Sequence, residues 1–370
     1  MRNMIRRSAA LLLVAVLLLA GLAIGASAAE AEAAFAASGT EHREIGFRLP
    51  GLIFPSAKQS DAGRSEVRLI ASGDTFGIRL SSDGVLVVGM SEREEERAAY
   101  RAGVRRGDVI VEIDKTPLRN AEELTSILSK SEGTPLLLTV RRGSDTFTAE
   151  VTPYRREGGD YLLGIMVRDS AAGIGTVTFI DPETGAFGGL GHGICDSSSG
   201  ALIPSRRGAA VRVLLDGVER GRAGKPGELR GSLCPDRLGT VVSNTDCGVF
   251  GYLKERGNAA DAIPLAKASE VREGKATLRT SLTDGKPTDY EIRIGDIRLD
   301  ARGSKCFSVH VTDERLLSVT GGIVQGMSGS PIIQDGKLVG AVTHVMVADP
   351  SAGYGIFIEN MLAQMDGLSR

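Results

Sequence analysis

Short runs of β-branched and apolar residues, separated by Gly, Asp and Pro, recur from Gly164 to the C-terminus. Many short strands with turn residues at regular spacing predict a β-barrel or a β-sandwich. The composition agrees, because the chain has 48 Gly, 4% aromatic residues and no Trp, which favours strands and tight turns over a helical bundle. A single closing helix is expected at 358–365. The sequence therefore predicts a mainly β protein.

The length of 370 residues and a hydrophobic fraction of 42% allow two or three domains, each with its own core. The formal net charge is −2, and no long block of one sign occurs. Nucleic acid is therefore excluded as an expected partner.

The N-terminus has the pattern of an export segment. Arg2, Arg6 and Arg7 precede an uncharged run at 8–29 rich in Leu, Val and Ala. Residues 1–29 are a signal peptide, cleaved after Ala26-Ser27-Ala28, or an uncleaved membrane anchor. We expect the rest of the protein to be membrane-anchored or secreted across the membrane. Residues 30–64 are predicted to be a linker, in which the apolar patch at 47–54 is a candidate self-cleavage region.

Four cysteines follow in the exported portion, at positions 195, 234, 247 and 306. In an oxidising compartment they could form one or two disulfides, although their spacing does not fix the pairing. A zinc site formed by His192 with Cys195, Cys234 and Cys247 is an alternative. It is disfavoured because no Cys-x-x-Cys pair is present. No metal and no cofactor are expected.

Residues 65–155 show an orderly pattern of strands and two helices that resembles a PDZ domain. The resemblance is carried by Thr75-Phe76-Gly77-Ile78, which matches the carboxylate-binding loop, and by the segment at 102–110, which matches Ala-Gly-x-x-x-Gly-Asp-x-Ile. In such a domain, successive N–H groups hold a peptide C-terminus and the neighbouring strand edge accepts the peptide as an added strand. Peptide or protein substrates are the expected partners.

The segment Gly326-Met327-Ser328-Gly329-Ser330-Pro331 lies between two apolar runs. Acyl transfer needs an exposed hydroxyl, small neighbours and backbone N–H groups aimed at the developing oxyanion. Ser328 is therefore the candidate nucleophile, with the amides of Gly326 and Ser328 as the oxyanion hole. The segment differs from the Gly-x-Ser-x-Gly elbow of α/β-hydrolases, because Ser330 replaces the last Gly.

Of the four histidines, His192 is the candidate general base, because it ends an apolar strand and precedes a polar loop. His344 could line the same site, but a packing role beside it is favoured. Asp196, Asp246 and Asp313 could each orient the imidazole. Asp196 is so close to His192 that it is expected to cap its own loop. Spacing does not choose between the other two, and both keep the chain order His, Asp, Ser.

The segments at 189–194, 244–251 and 312–337 resemble the SpoIVB peptidases of endospore-forming bacteria. The resemblance covers nearly the whole chain and implies a PDZ domain followed by a chymotrypsin-like double β-barrel at 160–370. It also implies a triad of His192, Asp313 and Ser328, with Asp246 held in reserve. Members of this family act between mother cell and forespore. They first cleave themselves, one copy cutting another in trans. They then cleave the ectodomain of a membrane protein that controls a late sigma factor.

Two other functions fit parts of the sequence. A non-enzymatic PDZ adaptor would use the β-domain as a surface, with the Ser328 segment as a plain turn. A cysteine peptidase would use Cys195, although its closeness in sequence to His192 argues against such a pair.

Overall fold

The computed structural model describes residues 67–197, 199–203, 205–282 and 287–368. Twenty strands and four α-helices occur in this part of the chain. The strands are β1 (Arg68–Ala71), β2 (Thr75–Met90), β3 (Val109–Ile113), β4 (Thr116–Pro117), β5 (Leu136–Arg142), β6 (Asp145–Val151), β7 (Tyr154–Arg155), β8 (Tyr161–Leu162), β9 (Ile165–Ile180), β10 (Ala186–Gly189), β11 (Ser205–Glu219), β12 (Glu228–Thr245), β13 (Gly248–Leu253), β14 (Ala262–Pro264), β15 (Gly274–Ser281), β16 (Pro287–Gly295), β17 (Phe307–Val311), β18 (Pro331–Gln334), β19 (Lys337–Met346) and β20 (Asp349–Phe357). The helices are α1 (Ala98–Arg101), α2 (Ala121–Lys130), α3 (Glu314–Thr320) and α4 (Ile358–Leu368).

The N-terminal barrel is a ring of six antiparallel strands. Successive pairings join β2 to β9, β9 to β10, β10 to β13, β13 to β12, β12 to β11, and β11 back to β2. Its interior holds the fully buried Phe76 and Phe187, whose rings meet edge to face at 5.7 Å between centroids. Each large ring buries a large apolar area, so this core needs few aromatic residues.

The C-terminal barrel is also closed by six strands, in the order β15, β16, β17, β20, β19, β18. Leu278, Ile292, Phe307 and Ile356 fill it without exposure to solvent. Helix α4 begins directly after β20, near the position predicted for the closing helix. The two rings confirm the predicted double β-barrel.

The PDZ module has a separate core built from β3, β5, β6 and the helices α1 and α2. It is inserted into the N-terminal barrel, because β2 and β9 each run 16 residues and belong to both. Val85 and Val87 of β2 pack in the module, whereas Phe76 and Ile78 of the same strand pack in the barrel. The structure thus places residues 68–80, predicted to open the PDZ domain, in the barrel that the module interrupts.

The prediction that Thr75, Phe76, Gly77 and Ile78 form a carboxylate-binding loop is wrong. Gly77 and Ile78 pair with β9 on one side and with β11 on the other, and the side chains of Phe76 and Ile78 are buried. A strand paired on both edges cannot accept a peptide as an added strand. Gly77 instead makes room for its neighbours, since a Cβ there would lie 2.3 Å from a methyl group of Leu233.

No helix in the described ranges combines the length and hydropathy needed to cross a bilayer. The predicted export segment, the linker and the apolar patch at 47–54 lie outside the described residues.

Candidate active site

His192 follows β10 and is partly exposed at the interface between the two barrels. Its Nδ1 lies 2.9 Å from the carbonyl oxygen of Gly193. A carbonyl can only accept, so Nδ1 carries the hydrogen and Nε2 is left with a free lone pair. Burial lowers the pKa of His192 below its ordinary value of 6.5. The imidazole is therefore neutral at neutral pH and able to take a proton at Nε2.

Ser328 lies in the loop between α3 and β18, and its side chain is partly exposed. Its Oγ donates a hydrogen bond of 2.7 Å to the carbonyl of Thr343 on β19. The structure thus shows the hydroxyl held by a carbonyl rather than by an imidazole. Transfer of its proton to His192 requires the hydroxyl to leave Thr343 first.

The loops that carry His192 and Ser328 are in direct contact. Gly329 adopts a φ of +96°, and a Cβ on it would lie 2.4 Å from the backbone nitrogen of Leu190. Only a glycine fits so close to the His192 segment in that conformation. A Cβ on Gly191 would lie 2.8 Å from a methyl group of Thr343, the residue that holds Ser328. One barrel therefore supplies the base and the other supplies the hydroxyl.

Four of the six backbone N–H groups at 325–330, in the Ser328 loop, are engaged. Those of Gln325, Met327, Gly329 and Ser330 donate to the carbonyls of Gly227, Val324, Val342 and Met327, respectively. Within the described part of the chain, the N–H groups of Gly326 and Ser328 have no protein acceptor. Gly326 is buried, and a buried N–H without a partner is rare. The loop thus offers two amides to an acceptor that the protein does not supply.

A family model described as SpoIVB peptidase S55 matches residues 159–362, which is more than half of the chain. The chain belongs to the SpoIVB peptidase S55 family. A second model, of a PDZ domain, matches residues 91–142, inside the module that interrupts the N-terminal barrel.

Other similar proteins cover smaller parts of the chain. A predicted zinc metalloprotease of Clostridium perfringens is 31% identical over 67 residues, which are 18% of this chain and 20% of that protein. The match thus spans a fifth of the relative's length. The PDZ domain of an SdrC-like protein from Listeria monocytogenes has a TM-score of 0.21 and 20% identity, covering 24% of this chain and 90% of that structure. The active form of the Rv3671c protease of M. tuberculosis has a TM-score of 0.30 and 17% identity, covering 54% of this chain and 74% of that structure.

Among the described residues, Asp313 makes no hydrogen bond to His192. Asp313 is the N-cap of α3, where its carboxylate accepts hydrogen bonds from the amide and guanidinium of Arg315 and from the amide of Glu291. The Arg315 guanidinium holds the pKa of Asp313 well below its ordinary range. All of these bonds lie at the start of α3 and on β16. The prediction that Asp313 orients His192 is therefore wrong for this structure, because the carboxylate is used in capping a helix.

The other two candidate acids are Asp196 and Asp246. Neither orients the His192 imidazole, whose Nδ1 bonds to the Gly193 carbonyl. Asp196 is buried and accepts from the amide and hydroxyl of Ser199, so it caps its own loop as predicted. Asp246 is exposed in the turn between β12 and β13. That turn abuts the His192 segment, since a Cβ on Gly193 would lie 2.8 Å from the carbonyl oxygen of Thr245. No hydrogen bond to His192 from either acid occurs among the described residues.

His344 packs beside His192, the role that the sequence favoured. Its ring centroid lies 4.9 Å from that of His192. Burial, and then the proximity of His192, lowers the pKa of His344 to about 4, so this ring is neutral when His192 titrates. His344 directly follows Thr343, whose carbonyl accepts the hydrogen bond from Ser328. That hydrogen bond is visible only in the folded chain.

The cysteines do not form an alternative site. All four are free thiols, Cys195 being exposed while Cys247 and Cys306 are buried. Desolvation, followed by the charge of Asp246, raises the pKa of Cys195, which disfavours the thiolate that a cysteine peptidase needs. Across the described ranges, no group of three or more His, Cys, Asp or Glu side chains could hold a metal ion.

The PDZ module has an open strand edge at the start of β9. Ile165 to Arg168 pair with β2 on one side, and pairing on the other side begins only at Val177. Helix α2 lies beside this edge, with its Ala121 amide donating to the carboxylate of Asp169. Gly164, just before the strand, has a φ of +72°. Leu163-Gly164-Ile165 repeats the apolar-Gly-apolar pattern of Phe76-Gly77-Ile78, which is the signal that the sequence analysis missed.

Proposed function

We propose that this chain is an exported serine endopeptidase that cleaves itself and the ectodomain of a membrane protein in sporulation signalling. The observation that carries the catalytic part is the pair of unpaired amides, Gly326 and Ser328, on a loop packed against the His192 segment. The signalling part rests on family membership and on the export segment at 1–29. By resemblance, the location is the space between mother cell and forespore.

In the proposed mechanism, Ser328 attacks a peptide carbonyl while Nε2 of His192 takes the hydroxyl proton. The Gly193 carbonyl holds the hydrogen on Nδ1, which is the task of a carboxylate in a triad. The amides of Gly326 and Ser328 stabilise the tetrahedral oxyanion. Loss of one such donor costs roughly 10²- to 10³-fold in kcat. The same imidazole then returns the proton to the leaving amine.

The PDZ module is proposed to bind a peptide C-terminus at Gly164 and along the open edge of β9. The peptide belongs to a substrate or to another copy of this chain. Binding there raises the local concentration of the substrate and takes no part in the chemistry.

The catalytic proposal is tested by labelling the full chain with a fluorophosphonate probe and mapping the labelled peptide by mass spectrometry. We expect the label on Ser328 and its loss in Ser328→Ala. Ser330→Ala is the matched control, because Ser330 is a buried serine two residues away. It should be labelled like the wild type. A folded protein that takes no label, or takes it on Ser330, would contradict the proposal and leave the PDZ adaptor as the better description.

A further inference from the structure

Strand β9 continues from the PDZ edge into the N-terminal barrel, where it meets the Ser328 loop. Thr176 and Thr178 lie on one face of this strand, two residues apart, and neither is exposed to solvent. The sequence shows them only as β-branched residues in a strand. In the structure, however, both hydroxyls point away from the barrel core and into the interface with the loop.

The two hydroxyls hold the loop on either side of Ser328. Thr176 Oγ1 donates to the Gly326 carbonyl at 2.8 Å, and Thr178 Oγ1 donates to the Gly329 carbonyl at 2.7 Å. The Thr176 amide also donates to the Ser328 carbonyl at 2.9 Å. Three carbonyls of the loop therefore receive hydrogen bonds from a strand about 150 residues away in sequence, and two of the three come from side chains.

Two of these bonds hold the peptide planes on either side of the plane that carries the Ser328 N–H group, since the plane of the Gly326 carbonyl precedes it and the plane of the Ser328 carbonyl follows it. The Gly326 carbonyl belongs to the plane between Gly326 and Met327, and the Gly329 carbonyl to the plane between Gly329 and Ser330. With those planes held, the unpaired N–H groups of Gly326 and Ser328 keep one orientation before substrate arrives. Donors that are already aligned when negative charge develops lower the barrier most, because no reorganisation is needed at that moment.

We propose that Thr176 and Thr178 are positioning residues of the peptidase, whose hydroxyls align the oxyanion amides of the Ser328 loop. The proposal rests on Ser328 being the nucleophile. Neither threonine contacts the reacting atoms, so their loss should slow acylation while leaving substrate binding almost intact. Val has the same shape as Thr but no hydroxyl. In a Val variant at either position, the Gly326 or Gly329 carbonyl would therefore stay buried without its hydrogen-bond donor.

The experiment compares Thr176→Val and Thr178→Val with Thr280→Val. Thr280 is a matched control, because it is equally buried in a strand of the other barrel and its hydroxyl has no hydrogen-bond partner among the described residues. The readouts are kcat and KM on a peptide substrate, the rate of labelling by a fluorophosphonate, and the melting temperature.

We expect each of the two Val variants to lower kcat and the labelling rate by roughly 10- to 100-fold, as a small misplacement of catalytic groups does, with KM changed less than about threefold. Thr178→Ser keeps the hydroxyl and should restore most of the rate. Thr280→Val should resemble the wild type in all readouts. Should a Val variant not fold, Ala and Ser at the same position supply a pair that differs by the hydroxyl alone.

Two results would overturn the positioning role. One is a kcat for Thr176→Val and Thr178→Val equal to that of Thr280→Val. The other is equal kcat for the Ala and Ser variants of one position. A wild-type protein that is not labelled at Ser328 would instead remove the nucleophile, and with it both the proposed function and this inference.

Discussion

The two ends of strand β9 differ in burial and in pairing. At the start, Ile165 to Ser170 alternate between partly buried and exposed, and one edge of the strand is open. At the end, every residue from Gly175 to Ile180 lies buried, and the backbone is bonded on both sides. The comparison teaches that one strand can serve as a docking edge where it is open and as a rigid support where it is enclosed.

Strand β2 runs beside β9 across the same boundary, so the PDZ module and the N-terminal barrel share two continuous strands. A module joined through a flexible linker would move independently of the barrel. Here the proposed docking edge and the support of the Ser328 loop are two ends of one strand, β9. Variants at each end should nevertheless separate the two activities, because the open edge and the Ser328 loop use different residues.

The largest effect is expected at the enclosed end. Ser328→Ala removes the nucleophile and should lower kcat by about 10⁴-fold or more, while binding of a peptide to the open edge of β9 stays unchanged. Turnover of a peptide substrate measures kcat, and fluorescence anisotropy of a labelled peptide measures its binding to the open edge. N-terminal sequencing of the mature protein, with and without Ser328, shows whether the chain cleaves itself. Undiminished turnover by the variant would remove Ser328 from the mechanism.

The next effect is expected at the open end. A Cβ on Gly164 would lie 1.9 Å from the carbonyl oxygen of Glu96, at a φ of +72°. Gly164→Ala should therefore distort the loop before β9 and weaken peptide binding by about tenfold or more, an affinity change of about 1.4 kcal/mol. Labelling of Ser328 should keep its rate.

Gly107→Ala is the control for this variant. Gly107 has a φ of +90° in the same module, but a Cβ there meets nothing within 4 Å. It therefore carries the backbone strain without the clash. If Gly164→Ala bound peptide as well as Gly107→Ala, the docking edge would have to be sought elsewhere.

The sequence was sufficient for those features that depend on local pattern. Short strands, the closing helix, and the small residues around Ser328 all follow from neighbours in the chain. The docking edge did not follow, because Phe76-Gly77-Ile78 and Leu163-Gly164-Ile165 have the same local pattern. Only their distant pairing partners distinguish an enclosed strand from an open one. The Thr176 hydroxyl was equally hidden, since its acceptor is Gly326.

The acid side of the pH profile distinguishes a carbonyl from a carboxylate behind His192. A carboxylate partner would stabilise the imidazolium and raise the pKa of His192, whereas burial beside a carbonyl lowers it. We therefore expect kcat/KM to lose half its value at a pH below 6.5 and to fall about tenfold for each further pH unit. His344 stays neutral in that range, because its pKa is about 4. A midpoint above pH 7 would indicate a carboxylate that reaches His192 during turnover.

Asp313 gives the smallest expected effect and the sharpest test of the triad. Asp313→Ala removes the N-cap of α3 and should lower the free energy of unfolding by about 0.5–2 kcal/mol, with kcat changed only a few-fold. Because Arg315 holds the folded-state pKa of Asp313 below its ordinary value, this stabilisation is present above about pH 4 and fades as the pH falls further. Asp246→Ala, at an exposed turn, is the control for stability. A loss of about 10³-fold or more in kcat with an unchanged melting temperature would make Asp313 the triad acid, and α3 would then have to release it in the active state.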